Sequence, residues 1–320
     1  MKRALLTCLS LFIFLTSACA SRSVPQNDNP VASPAESDQT AKTDDKKNDE
    51  LQKQIEQIAS AAKGRVGVGA VLLETGESVF LNPKAQFPML SVYKLPIGMA
   101  VLHQVDTGKL KLEQKVRVQK SDFVSPGQRS PIRDKNPNGT ESSVSELLQL
   151  MVSESDGTAS DVLLRLAGGP EAVNKYLNEL KISEIVVANT EKEFGRDRAL
   201  QYRNWASPEG AVALLRALHE RRGISEQNRA LLLKFMIESP TGPKRLKGLL
   251  PAGAIVAHKT GTSGTFNGIT AATNDIGIIT LPNGRHLAIA VFVSDSPANE
   301  ATREETIAKI AKAVWDKWGN

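Results

Sequence analysis

Thiol chemistry is almost absent from this 320-residue chain: its only cysteines are Cys8 and Cys19. Both precede the first segment with folded periodicity, so the folded part has no disulfide and must be held by packing alone. No C-x-x-C occurs, and His103, His219, His258 and His286 fall in no H-x-x-x-H or H-x-H spacing. No metal site is therefore expected, and nothing calls for an organic cofactor. The apolar run Ala4–Leu15 has the length of a signal h-region, too short to span a bilayer. Strong net charge is missing too. Without Lys2 and Arg3 in that leader the formal charge falls from +5 to +3, which gives a nucleic-acid partner little support. There is no internal repeat and no G-x-S-x-G elbow.

What is present begins with a leader. Met1-Lys2-Arg3 is a short positive start, and Leu15-Thr16-Ser17-Ala18-Cys19 resembles a bacterial lipobox with Thr16 in the usual aliphatic place. That implies a signal peptide over 1–18 and a lipidated Cys19; plain cleavage near Ala18 or Ala20 is the alternative. Residues 21–48 are rich in Ser, Pro, Asp, Asn, Lys and Gln with almost no large apolar side chain. Such a stretch cannot offset its conformational entropy, so 19–50 reads as a lipidated, disordered tether and 51–320 as the folded domain. The expected location is exported, on the periplasmic side of a bacterial membrane. Ala20 after the cysteine favours the outer membrane in a Gram-negative host.

Within the domain, Leu51, Ile55 and Ile58 repeat at helical spacing up to Gly64. Val66–Leu73 and Ser78–Leu81 read as a hairpin around Glu74-Thr75-Gly76. The pattern from Ser91 to about Glu238 is mostly helical. Ile255–Thr262, Ile276–Leu281 and Leu287–Val293 read as strands, the last two joined by Pro282-Asn283-Gly284. A closing helix over Ala301–Trp318 carries Ile307, Ile310, Ala311 and Val314 on one side. Strands at both ends with helices between predict an α/β (α+β) fold: one antiparallel sheet made by both chain ends, flanked by helices, with an inserted helical lobe over about 85–240. A site would lie in the cleft between sheet and lobe.

Three short elements carry chemistry. Ser91 and Lys94 stand three apart at a predicted helix start and so share a face. A serine hydroxyl attacks only once a neighbour takes its proton, and a desolvated lysine can take or relay it. The second element is Ser155-Asp156-Gly157. The third is Lys259-Thr260-Gly261-Thr262 on a predicted strand, a cationic edge along which a carboxylate can lie. Each alone is weak; the ordered set is not. S-x-x-K, S-D-x and K-T-G in this order resemble class A serine β-lactamases and penicillin-binding proteins. The chain is most similar to the PER/CfxA-like extended-spectrum branch through Phe87-Pro88-Met89, Leu102–Asp106, Tyr202–Trp205 and Thr273–Gly277.

That resemblance covers about Leu51 to Trp318 and implies the serine β-lactamase/D,D-peptidase fold. It implies roles as well. Ser91 would attack the lactam carbonyl, with backbone N–H groups of Ser91 and Thr262 as the oxyanion hole. Ser155 would protonate the leaving nitrogen under the influence of Lys94 and Lys259. Lys259, Thr260 and Thr262 would hold the substrate carboxylate. Glu191, with Glu193 as the competing choice, would activate the deacylating water. The expected partners are β-lactam substrates and a membrane reached through the lipid anchor, with the chain a monomer. A D,D-peptidase or a penicillin-sensing domain shares the three motifs but has no dedicated deacylating glutamate.

The chain also departs from the family pattern. Gly157 replaces an asparagine that contacts substrate. Asn189 and Asn204 stand where an arginine–aspartate pair is common, Asp161 replaces a loop-pinning asparagine, and Gly195 stands where a side chain commonly holds water. Arg129 replaces an aromatic wall, and Ile276 replaces an arginine whose charge Arg245 is expected to supply, an ordinary surface arginine being the alternative. A widened site that admits bulky oxyimino-cephalosporins is the expectation.

Overall fold

The computed structural model describes residues 49–319, so the leader, Cys19 and nearly all of the expected tether lie outside the described residues. Helix α1 (49–60) leads into β1 (Arg65–Leu72) and β2 (Ser78–Leu81). The short β3 (Phe87–Pro88) is followed by a 3-10 turn, Leu90–Tyr93, and helix α2 (Lys94–Asp106). The lobe continues with β4 (Lys115–Val118), α3 (Pro131–Lys135), β5 (Thr140–Ser143), α4 (Val144–Val152), α5 (Gly157–Ala167) and α6 (Gly169–Glu179). After β6 (Ile185–Val186), α7 (Glu191–Arg196) and β7 (Trp205–Ala206) come α8 (Pro208–His219) and α9 (Glu226–Ile237). The chain ends with β8 (Ile255–Thr262), β9 (Thr265–Phe266), β10 (Ile269–Thr280), β11 (His286–Ser296) and α10 (Glu300–Trp318).

The main sheet has the order β2-β1-β11-β10-β8, with β9 paired to β10, and its pairings are antiparallel. It is built from both chain ends, as the strand pattern predicted. Its two faces bury different cores, because side chains alternate along each strand. Leu287, Ile289, Val291 and Val293 of β11 join Ile55 of α1 and Ile307, Ile310 and Val314 of α10 on the far face. Ala288, Ala290 and Phe292 point the other way, into the core shared with α2, α4, α5 and α8. On that lobe-facing side β1 presents Gly67, where a Cβ would run into the Phe87 ring. The missing side chain lets β3 approach.

The helices start where the sequence supplies caps. Ser143, Asp156, Thr190, Ser207, Ser225 and Asn299 each accept a first-turn backbone N–H through a side-chain oxygen. Helix α2 is different: every residue from Lys94 to Leu102 is buried, so it runs through the middle of the lobe rather than over its surface.

One strand is longer than its sequence suggests. Strand β10 starts at Ile269, seven residues before the predicted Ile276. Asn274 and Asp275 look like turn residues, yet they and the polar Thr273 are fully buried in the strand. Each finds a distant partner: Thr273 accepts from Arg303 (2.8 Å), Asn274 donates to the Pro88 carbonyl (2.8 Å), and Asp275 pairs with His258 (2.9 Å). Those bonds offset the cost of burying polar groups, and local propensity cannot foresee them.

Candidate active site

The first motif sits on a strained entry. Leu90 has a left-handed backbone (φ 46°), which turns the chain sharply before Ser91. One helical turn on, Lys94 is only 1% exposed. Its Nζ donates to Ser91 Oγ (3.1 Å) and the Ser155 carbonyl (2.7 Å), and it pairs with Glu191 Oε1 at 2.9 Å. Those three partners match the three donors of an ammonium group.

The second motif is held from behind. Ser155 is also left-handed (φ 59°) and occupies the bend between α4 and α5. Its neighbour Asp156 is fully buried and caps α5 by accepting from the Ala159 N–H (2.9 Å). The same carboxylate accepts from the Ser130 hydroxyl (3.0 Å) and the Ile132 N–H (2.7 Å). This anchoring maintains the strained backbone that presents the Ser155 hydroxyl to the cleft.

The third motif explains its own glycine. A Cβ on Gly261 would collide with the Met89 carbonyl, so only glycine lets β8 pass this close to the turn carrying Ser91. Lys259 points inward and donates to Ser155 Oγ (3.0 Å). Burial and the nearby Lys94 push the Lys259 ammonium well below the ordinary lysine pKa. Thr260 exchanges a hydrogen bond with Thr241 (2.8 Å), and Thr262 accepts from Arg245 (2.8 Å).

The segment carrying Glu191 separates the two candidate glutamates. Thr190 and Glu193 form a capping box: the Glu193 carboxylate turns back onto the Thr190 N–H (2.8 Å) and hydroxyl (3.0 Å). Glu191, two residues earlier, points to Lys94 and lines the cleft. Its place is fixed from below by Asp161, whose carboxylate accepts the backbone N–H groups of Glu191 (2.8 Å) and Lys192 (3.0 Å). Burial raises the Asp161 pKa to about 7, and the Glu191 charge adds to the rise. The neck of this loop is closed by amides rather than an ion pair. Asn204 accepts from the N–H groups of Ala188 (2.7 Å) and Asn189 (2.8 Å) and donates to the Asn189 carbonyl (2.9 Å).

A residue with no motif to announce it completes the set. Gln128, in the loop before α3, donates to the Glu191 carbonyl (2.5 Å) and faces its carboxylate (3.4 Å). Its oxygen accepts from the Ser125 N–H (3.1 Å). A Cβ at Gly195 would overlap that same oxygen, so Gln128 occupies the space the glycine leaves. The only sequence signal was Gly195 itself. At Gly157 a Cβ would sit 3.4 Å from Glu191 Cγ and 3.3 Å from the Arg129 carbonyl. Gly157 therefore backs the glutamate.

Ser91, Lys94, Ser155, Glu191, Thr260 and Thr262 line one cleft of about 790 Å³. Arg245 is 3% exposed and lies behind it. Its guanidinium is spent on Glu304 (3.1 Å), the Gly261 and Asn274 carbonyls (3.2 and 3.0 Å) and the Thr262 hydroxyl. Its reach to the cleft is through Thr262. Arg129 lies at the cleft wall and binds Glu154 (2.7 Å), and Ile276 is packed in the core. The cleft thus joins a serine, an adjacent amine, a second serine between two lysines, and a carboxylate paired with that amine. Such a set can form and then hydrolyse a serine ester. The described histidines and carboxylates that could ligate a metal lie elsewhere: Glu74, His219 and His286, none of which lines the cleft.

Residues 50–318 match the family model described as the beta-lactamase enzyme family. The extended-spectrum beta-lactamase PER-1 of Pseudomonas aeruginosa is 47% identical over 267 residues, covering 83% of this chain and 86% of its own length. Beta-lactamase VEB-1 of the same species is 40% identical, covering 85% and 91%. Among solved structures, the TLA-3 extended-spectrum beta-lactamase superposes with a TM-score of 0.83 at 44% identity, covering 85% of this chain and all of that one. A beta-lactamase from Chitinophaga pinensis gives 0.82 at 45% identity, covering 83% and 98%.

Proposed function

The chain belongs to the β-lactamase enzyme family, and we propose that it works through an ester on Ser91 that water activated by Glu191 hydrolyses. It is a class A serine β-lactamase, a hydrolase that opens the β-lactam ring and so confers resistance. The observation that carries the mechanism is the unbroken contact chain Ser91–Lys94–Glu191, at 3.1 and 2.9 Å.

In acylation, Ser91 Oγ bonds to the lactam carbonyl carbon, and its proton passes to the Lys94–Glu191 pair. The developing oxyanion lies between the backbone N–H groups of Ser91 and Thr262. As the carbon–nitrogen bond breaks, Ser155 gives its proton to the departing nitrogen and is reprotonated through Lys94 by the proton that Ser91 released. Lys259 and Lys94, whose amines lie 3.0 and 3.5 Å from Ser155 Oγ, favour the oxygen as it gains negative charge. The substrate carboxylate rests on Thr260 and Thr262, attracted by Lys259; Arg245 orients the Thr262 hydroxyl. In deacylation, Glu191 takes a proton from water as the water oxygen attacks the ester, and Ser91 recovers its hydrogen. Gln128 steadies Glu191 during this step by holding its backbone and facing its carboxylate.

The cleft volume and the names of PER-1, VEB-1 and TLA-3 support an extended spectrum that includes oxyimino-cephalosporins. Good penicillin turnover with no appreciable ceftazidime or cefotaxime hydrolysis would refute that reading. The leader supports export, with the catalytic domain (51–320) tethered as a monomer by a lipid on Cys19. Among the described residues no helix is long and apolar enough to cross a membrane.

A nitrocefin time course with intact-mass detection, run on the parent and on Glu191→Ala, tests the mechanism. Sustained turnover by the parent and a trapped Ser91 adduct in the variant are expected. A single stoichiometric acylation of the parent would instead indicate a penicillin-binding protein or a sensor.

A further inference from the structure

Three side chains far apart in sequence meet outside the cleft. Glu74 sits in the β1–β2 turn, His286 opens β11, and His219 ends α8. The sheet fixes two of them. The Leu73 N–H donates to the His286 carbonyl (2.8 Å), and the His286 N–H donates to both Glu74 oxygens (3.0 and 2.9 Å). His286 Nδ1 lies 2.7 Å from Glu74 Oε1, and the His219 and His286 rings face each other at 4.6 Å. One donor atom from each residue lies within 4.8 Å of the other two. A second feature is independent of that distance: His219 Nδ1 is buried and has no hydrogen-bond partner. Buried polar atoms are rarely left so, and an orphan of this kind needs a reason.

We propose that Glu74, His219 and His286 form a site for a divalent transition-metal ion of the zinc, copper or nickel kind. Two imidazoles and one carboxylate suit these ions, whereas magnesium and calcium favour more oxygen ligands. Ligands of a tetrahedral zinc site stand roughly 3.4 Å apart, given bonds of about 2.0–2.1 Å. Reaching that spacing from within 4.8 Å calls for side-chain rotation, and the Glu74 and His286 side chains are about one-third exposed, at the surface where such movement meets least packing. The open side leaves a coordination position for water. Bound metal joins one end of the central strands to the end of α8, which ties two layers of the domain without touching the cleft. A ligand that binds only the folded state stabilises it.

Titrating the full chain with zinc chloride by calorimetry, alongside thermal melting, tests the site. One ion per chain, a rise in Tm with zinc but not with magnesium, and at least tenfold weaker binding in His219→Ala and Glu74→Gln are expected. The variant His103→Gln, which alters a histidine outside the cluster, should bind like the parent, and nitrocefin turnover should be the same with and without zinc. No binding, or binding that both cluster variants retain, overturns the proposal. The variants' own melting curves without metal confirm that they are folded.

Discussion

The two faces of the main sheet are made by the same strands and do opposite things. On the far face, alternate residues of β11 pack against α1 and α10 in a cluster of aliphatic side chains, alanines and tryptophans. On the lobe side, the same layer must accommodate buried Lys94, Lys259 and Asp156 and two left-handed non-glycine residues, Leu90 and Ser155. Apolar packing gains stability in proportion to the area removed from water. Buried charges and strained backbone cost stability and persist only where their surroundings overdetermine them. One face stabilises the domain, and the other spends part of that stability on a pre-organised cleft.

The sharpest way to break this division is a crossed pair of substitutions. Glu191→Ala should lower turnover by about 10³-fold while leaving Tm within a few degrees. Ile289→Ala, on the far face, should cost about 2–5 kcal/mol of stability with kcat/KM of the folded enzyme unchanged. Denaturant titration and steady-state kinetics on both variants decide it; a far-face variant that loses kcat while still folded would end the comparison. Next in size is Lys259→Met. Removing a buried cation of similar volume should leave stability equal or raised, while hydrolysis falls on the order of 10²-fold. A large fall in Tm would mean that the lysine is structural after all.

Gln128→Ala should act more narrowly. Its loss removes one hydrogen bond to Glu191 and opens the space beside Gly195, so deacylation should slow by roughly tenfold with acylation little changed. Rapid-quench mass measurement of acyl-enzyme separates the two steps, and equal slowing of both would refute a role at Glu191. The smallest effect is a pH slope. Asp161 keeps its proton in the folded protein up to about pH 7, against 3.8 for the ordinary group. Between those values the folded state binds more protons than the unfolded chain, so this residue makes stability fall as pH rises through about 4 to 7. Glu74, Asp122, Glu146 and Glu193 have lowered values and act oppositely, losing stability as pH falls below the usual carboxylate range. Melting curves of the parent and Asp161→Asn across that window should therefore diverge: the variant should lack the Asp161 part of the slope.

The far face was the easier half to read in advance. Leu51, Ile55 and Ile58, and Ile307, Ile310 and Val314, show helical spacing that directly marks the buried side. The first half of β10 was not readable, because Asn274 and Asp275 carry turn-like propensity and find their partners, Pro88 and His258, far along the chain. Within the cleft, motif spacing named Ser91, Lys94, Ser155 and Lys259, since a nucleophile and its amine one helical turn apart leave a local trace. Arg245 was picked out for its charge, and folding turned that charge onto Glu304 and the backbone of β8 and β10.

By itself, then, the sequence determined what depends on neighbours along the chain: caps, helix faces, the motif pairs and the family to which they belong. Only the tertiary structure decided what depends on contacts between distant segments. It engaged Glu193 in a capping box and turned Glu191 toward Lys94, brought Gln128 over Gly195, and gathered Glu74, His219 and His286 from three elements. The physical reason is that side-chain chemistry acts over a few ångströms in space, and local pattern fixes such distances only within one helix turn or one strand pair.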